Sequence, residues 1–121
     1  MARAKIVALV GEAAVRQALE PDADRETTAL AVRYLLQVLA DGSPGNTVEV
    51  RVPPFGAVQC IEGPTHTRGT PPNVIEADAR TWLLLATGGL DWAGARELGR
   101  VSASGQRADL SAQLPLAWER A

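Results

Sequence analysis

The sequence predicts an α/β protein of the α+β type, and two kinds of apolar periodicity support this prediction. Apolar residues recur at helical spacing over much of residues 8–42, and they alternate with polar residues over 47–52. The chain has 121 residues, a length at which one domain with one hydrophobic core is expected. We therefore expect a single domain over residues 1–121 in which helices and a sheet share that core.

Two helices are predicted in the first third of the chain. From Ala8 to Glu20 the chain is rich in Ala, with apolar residues four apart, and Pro21 ends this pattern. Asp22 and Asp24 offer side-chain oxygens that can cap a second helix, which is expected to end near residues 41–42. The residues that recur at helical spacing in this second helix are Ala31, Leu35, Val38 and Leu39.

Four strands are predicted after the second helix. The first covers 47–52, where Val48, Val50 and Val52 alternate with polar residues, so its valine face is expected to be buried. The dipeptide Pro53-Pro54 ends this strand because proline cannot donate a ladder hydrogen bond. The other three strands are expected at 57–62, 73–77 and 100–104.

Three short helices are predicted in the second half of the chain. Asp78 and Asp91 stand where N-cap residues belong, and the helices that they begin are expected at 79–87 and 91–98. A closing helix is expected at 108–114.

Charge and composition exclude several classes of partner. The net charge of −2 gives no general attraction to nucleic acid. The apolar run Ile6–Val10 is too short for a secretory signal, and no stretch reaches the roughly 20 apolar residues that span a bilayer. Cys60 is the only cysteine, so no intramolecular disulfide can form. We expect a cytoplasmic protein with no nucleic-acid partner and no membrane insertion.

Two segments resemble a known family. Residues 74–114 read VIEADARTWLLLATGGLDWAGARELGRVSASGQRADLSAQL. They resemble the second half of the sterol carrier protein family in the order of strand, Asp cap, aromatic residue, Leu-rich turn, glycine, short helix, Gly99-Arg100-Val101, Ser104-Gly105 and a last helix. The segment VEVRVPPFGAVQC at 48–60, with GPTHTRGTPPN at 63–73, looks like the bacterial branch of sterol carrier orthologs. Related domains also resemble the C-terminal domain of mycothiol-dependent maleylpyruvate isomerases.

The resemblance implies a fold and a ligand class. It implies a single mixed, mostly antiparallel sheet of four to five strands covered by helices, with a tunnel or pocket for lipids between them. The chain departs from the longer family pattern by placing the Pro-rich loop 63–72 where a further hairpin is expected, and a missing strand can close the tunnel. The three-histidine metal centre of the isomerases has no counterpart, because His66 is the only histidine.

An apolar concentration near residues 82–92 is the candidate ligand site. The resemblance places these side chains beside a lipid pocket, whereas the alternative is that they form ordinary core. The candidate pocket residues are Trp82, Leu85, Leu90, Trp92 and Phe55.

The loop 63–72 is the candidate polar site. Thr65, His66 and Arg68 could bind an anion there, with Arg51 contributing from the neighbouring strand. The loop matches no phosphate-binding motif, so the alternative is a rigid surface loop held by its own prolines. A polar loop of this length in a small domain is the first place to look for a polar contact with a ligand.

Cys60 and His66 form the only nucleophile–base combination in the chain. The alternative is a buried, inert Cys60 and an exposed or backbone-bonded His66. Because structural zinc sites take four Cys or His ligands and catalytic ones usually three protein ligands, no metal site is expected. We expect no catalytic residue and no cofactor.

Three functions remain open from the sequence. The first is a non-catalytic carrier of a lipid or other apolar small molecule, the second a protein-interaction or accessory domain with a closed core, and the third a small enzyme that uses the loop 63–72. An apolar cavity would favour the first, a filled core with a flat exposed patch the second, and a cleft that joins His66, Cys60 and Arg68 the third.

Overall fold

The computed structural model describes residues 4–63 and 73–118 of the chain. Within this part of the chain, four helices and four strands follow one another along the sequence. In order they are α1 (Ala8–Ala18), α2 (Arg25–Gly42), β1 (Val48–Val52), β2 (Gly56–Cys60), β3 (Asn73–Ala77), α3 (Ala79–Thr87), α4 (Trp92–Glu97) and β4 (Val101–Ser104).

The strands form one open sheet with the order β2-β1-β3-β4. β1 and β2 pair as an antiparallel hairpin in which Val50 lies opposite Val58. β1 then pairs in parallel with β3, where Val50 lies beside Ile75, and β3 pairs antiparallel with β4. The predicted α+β class and the mixed, mostly antiparallel sheet are confirmed.

The hydrophobic core lies between one face of this sheet and the helices. Val48, Val50 and Val52 are each 0% exposed, so the prediction that the valine face is buried is confirmed. Fully burying one side chain of this size contributes about 1.5–3 kcal/mol relative to exposure. The opposite sheet face carries polar side chains such as Glu49 and Glu76 that remain partly or fully exposed. The sheet is therefore covered by helices on the valine side.

Aspartate side chains begin three of the helices. The carboxylates of Asp24, Asp78 and Asp91 each accept a backbone N–H at 2.7 Å from the residue three positions later. For Asp24 and Asp78, the hydrogen bond from that backbone N–H is the main cause that lowers the carboxyl pKa. The N-caps predicted at residues 78 and 91 are confirmed. Of Asp22 and Asp24, the two candidates for capping α2, Asp24 is the cap.

The predicted helix at 108–114 is wrong. Residues 105–118, called the C-terminal segment below, form turns and irregular structure after β4. Pro115 disfavours helical geometry at Leu114, and the Asp109 carboxylate accepts the Ser111 N–H at 2.7 Å, a local bond that competes with helix. The predicted helix is replaced in part by a turn in which the Leu114 N–H donates to the Leu110 carbonyl at 3.1 Å.

Candidate functional site

A partly enclosed apolar pocket of about 310 Å³ lies between the end of α3, the start of α4 and the C-terminal segment. Three of the five residues predicted from the sequence to contact an apolar ligand meet there: Leu85, Leu90 and Trp92. We call it the α3–α4 pocket. Its other lining residues are Gly88, Asp91, Ala93, Ser111, Leu114 and Pro115.

The sharp turn between α3 and α4 brings the predicted residues together. Gly88 ends α3 in a left-handed conformation with φ of 89°, which glycine adopts without steric cost. Asp91 then caps α4, so that Trp92 is the first residue of the new helix. Because one helix ends and the next begins within a few residues, side chains from both helices line the same cavity.

The third wall of the pocket is formed by the C-terminal segment. The Leu116 N–H donates to the Ala86 carbonyl at 2.9 Å and holds this segment against α3. Ser111, Leu114 and Pro115 are thereby placed along the pocket. Sequence reasoning missed these three residues because it assigned residues up to 114 to a helix. The available signal was Pro115, which disfavours helical geometry at Leu114 itself.

The lining of the α3–α4 pocket is mostly apolar. Asp91 is its one ionisable lining residue, and its carboxylate already accepts the Gly94 N–H at 2.7 Å as a helix cap. The other polar groups on lining side chains are the Ser111 hydroxyl and the indole N–H of Trp92. Most of the wall is aliphatic or aromatic, so the arrangement favours an uncharged, apolar group.

Trp82 and Phe55 lie outside this pocket, although both were predicted to line it. Trp82 is 1% exposed in the core, where its Nε1 donates to the Val32 carbonyl of α2 at 3.3 Å. Phe55 follows β1 and packs under the Arg25 guanidinium, whose central carbon is 5.0 Å from the ring centroid. The side chain of Trp82 is directed into the contact between α3 and α2, whereas Leu85 reaches the side of α3 that meets α4.

The candidate polar site falls mostly on residues outside the described part of the chain. Thr65, His66 and Arg68 belong to 64–72, so their proposed convergence stays a prediction. Arg51 lies on β1, and its Nη2 is 2.7 Å from Oε1 of Glu49. Its charge is therefore already paired on the open face of the sheet.

Cys60 has the properties of a structural cysteine. Its side chain is 0% exposed at the end of β2, and burial raises the pKa of its thiol to about 11. At neutral pH the sulfur is therefore protonated, whereas the thiolate is the nucleophilic form. His66, its suggested base, lies outside the described residues. Within 4–63 and 73–118 no three His, Cys, Asp or Glu side chains form a group that could hold a metal ion.

The fold and the pocket are those of a small α+β protein with an apolar cavity, and comparison with known families identifies the class. The family model described as Bacterial SCP ortholog, where SCP denotes sterol carrier protein, matches residues 24–116. The chain belongs to this family, which confirms the resemblance seen in the sequence. No curated protein matches the chain. No described helix is both long and apolar enough to cross a membrane.

Proposed function

We propose that this protein is a non-catalytic carrier that binds a fatty-acyl or similar apolar small molecule in the α3–α4 pocket, in the cytoplasm. The observation that carries the proposal is the meeting of Leu85, Leu90 and Trp92 in one cavity of about 310 Å³. Membership in the bacterial sterol carrier ortholog family supports the same class of function.

The energetics favour a chain-like ligand over a small polar one. Each methylene group transferred from water into an apolar site contributes about 0.8 kcal/mol. Association costs roughly 4 kcal/mol or more in lost translational and rotational freedom, so about five methylene groups must be buried before any net affinity appears. An extended aliphatic chain can supply that many methylene groups, and a cleft between two helices can accept a chain of this shape.

The charge at the rim suggests how such a ligand would lie. Asp91 is acidic and its carboxylate is committed to capping α4, so it offers no attraction to an anionic headgroup. A carboxylate-headed ligand would therefore place its tail in the pocket and its headgroup in solvent. We expect the affinity to depend on tail length more than on headgroup charge.

The proposal contains no catalytic step. The buried Cys60, with its thiol pKa of about 11, supports this, because the protonated thiol is a poor nucleophile at neutral pH. A catalytic role for the loop 63–72 would have to combine His66, the only histidine of the chain, with a nucleophile other than Cys60.

The test uses Trp92 as a built-in reporter. Trp92 is 7% exposed and lines the pocket, so a fatty acid brominated along its tail should quench its emission in a saturable way. Ala93→Trp, at an exposed lining position, should fill the cavity and abolish binding of an unbrominated fluorescent fatty-acid analogue. Ala13→Trp, at an exposed position of α1, is the matched control and should bind normally.

Two results would refute the carrier role. One is the absence of saturable binding by the wild-type protein for fatty-acid analogues of any tail length. The other is unchanged affinity in a folded Ala93→Trp protein, which would show that the ligand sits elsewhere. Circular dichroism of both variants establishes that they are folded.

A further inference from the structure

A second concave surface lies along the outer edge of the sheet. This groove of about 430 Å³ is bounded by β2, by α2 and by the extended residues 4–6, and we call it the β2 groove. Gly56, Ala57 and Val58 all line it. All three belong to β2, the strand at one end of the sheet, so the groove runs beside that edge strand.

The backbone of β2 is open on this side. β2 stands at the end of the strand order, so within the described residues its outer side pairs with no other strand. On such an edge, alternate residues present unpaired N–H and C=O groups that can accept another chain. The sequence GAVQC of β2 contains no proline and no charged residue, which are the usual features that block edge pairing.

The far wall of the groove is fixed and leaves the space open. The Ile6 N–H donates to Gln37 Oε1, and Gln37 Nε2 donates to the Ile6 carbonyl, both at 2.9 Å. Lys5 Nζ lies 3.0 Å from an oxygen of Asp41, so these two charges of the wall neutralise each other. Residues 4–6 are thus held against α2 instead of against β2.

The remaining charge around the groove is positive. Arg33 lines the groove, and its Nε is buried without a hydrogen-bond partner among the residues that the structure describes. Arg25 lies over the ring of Phe55, another lining residue, at 5.0 Å. Neither arginine has an acidic partner within 4.0 Å in the described ranges. A carboxylate brought into the groove could pair with the positive charge of the partly exposed Arg33 side chain.

We propose that the β2 groove binds an extended peptide carrying an acidic residue, which adds to the sheet as a strand beside β2. Backbone hydrogen bonds to the edge of β2 would provide affinity, and pairing of a carboxylate with Arg33 would provide selectivity. A second copy of this chain is a poorer occupant, because symmetric pairing through β2 would bring two cationic grooves together. This inference does not depend on the α3–α4 pocket.

The first experiment measures charge selectivity. The acetylated, amidated peptide Val-Glu-Val-Glu-Val is titrated into ¹⁵N-labelled full-length protein, with Val-Lys-Val-Lys-Val as its counterpart. We expect saturable shifts at the amides of 56–60 and at Arg33 for the acidic peptide, and at least about tenfold weaker binding for the basic one. Arg33→Gln should weaken binding of the acidic peptide by about tenfold. Arg80→Gln, at an exposed position of α3, is the matched control and should leave it unchanged.

The second experiment measures the use of one backbone edge. Two versions of the acidic peptide are made, each N-methylated on alternate amides. The first carries the methyl groups along one edge of the extended chain, and the second carries them along the opposite edge. A peptide that adds as a strand turns one edge toward β2, so one version should lose binding and the other should keep it. Ala93→Trp in the α3–α4 pocket should leave both results unchanged, which separates this proposal from the carrier function.

Four results would overturn the proposal. They are no saturable binding of the acidic peptide, equal binding of the basic peptide, equal binding to Arg33→Gln, or equal behaviour of the two N-methylated versions. Decanoate producing the same shifts and displacing the peptide would instead assign the groove to a small anionic amphiphile. A dimer in light scattering that buries the amides of 56–60 would assign it to a second copy.

Discussion

Trp82 is the side chain whose removal should cost the most stability. It is the largest of the fully buried side chains, 1% exposed, and its Nε1 donates to the Val32 carbonyl, which joins α3 to α2. Trp82→Ala should destabilise the fold by about 3–5 kcal/mol, because deleting a large core aromatic removes its burial and leaves a cavity. A domain of this kind typically has a total stability of about 5–15 kcal/mol, so this one change would consume a large part of it.

Urea unfolding followed by far-ultraviolet circular dichroism measures this loss. With a slope of about 1–3 kcal/mol/M, the midpoint for Trp82→Ala should fall by at least about 1 M relative to wild type. Trp82→Phe keeps much of the packing and loses the hydrogen bond, so its loss should be smaller, at about 1–3 kcal/mol. Arg80→Ala at an exposed position should have little effect. Equal midpoints for wild type and Trp82→Ala would refute the assignment of Trp82 to the core.

Three further predictions concern single side chains. Asp78→Ala should cost about 1 kcal/mol because it removes the cap on the Thr81 N–H. The folded-state pKa of Asp78 is lowered, so the wild-type advantage should be full well above pH 3.8, decline below it and be lost as pH falls through the lower folded-state pKa; a constant difference in midpoint down to pH 2 would contradict this. Gly11→Ala should destabilise the fold because a Cβ there would clash with the buried ring of Tyr34. The clash should cost about 1–3 kcal/mol, partly offset by the higher helix propensity of Ala, and in a double-mutant cycle Tyr34→Ala should remove this penalty. Alkylation of Cys60 by iodoacetamide in the native protein should be much slower than in urea at pH 8, because the thiol is buried and its pKa is about 11; equal rates would show that it is accessible.

The elements that could be predicted from the sequence are those fixed by local chemistry. The alternation of Val48, Val50 and Val52 requires one buried face whatever the rest of the fold does, and the structure buries all three. Asp78 and Asp91 cap their helices through bonds that span three residues. Interactions between residues so close in the chain can be predicted from the local sequence alone.

The error at 108–114 arose where a distant contact decides the conformation. Leu110 is 0% exposed and the Leu116 N–H reaches the Ala86 carbonyl, so core packing and α3 hold the C-terminal segment in addition to its own short-range hydrogen bonds. Helix propensity is weak compared with such tertiary contacts. The same limit applies to Trp82 and Phe55, because an aromatic residue in a sequence does not reveal which neighbour it will pack against.

The α3–α4 pocket could be predicted only in part, because some of its walls depend on local sequence and one depends on a distant contact. Leu85, Leu90 and Trp92 are close in sequence and joined by a turn that Gly88 and Asp91 specify, so their convergence follows from local rules. The wall made by residues 111–115 depends on the bond between the Leu116 N–H and the Ala86 carbonyl, 30 positions apart in the chain, and no local pattern predicts that bond.

The two concave surfaces draw on different parts of the chain, which allows their roles to be separated. The α3–α4 pocket is built entirely from residues 85–115, within the range 24–116 that the family model matches. The β2 groove takes one wall from residues 4–6, which precede that range. The Ile6–Gln37 and Lys5–Asp41 bonds that fix this wall make no contact with the pocket lining. Gln37→Ala should therefore loosen the groove wall and alter peptide binding, while ligand binding in the pocket stays as in wild type; loss of both activities together would mean that the two surfaces are not independent.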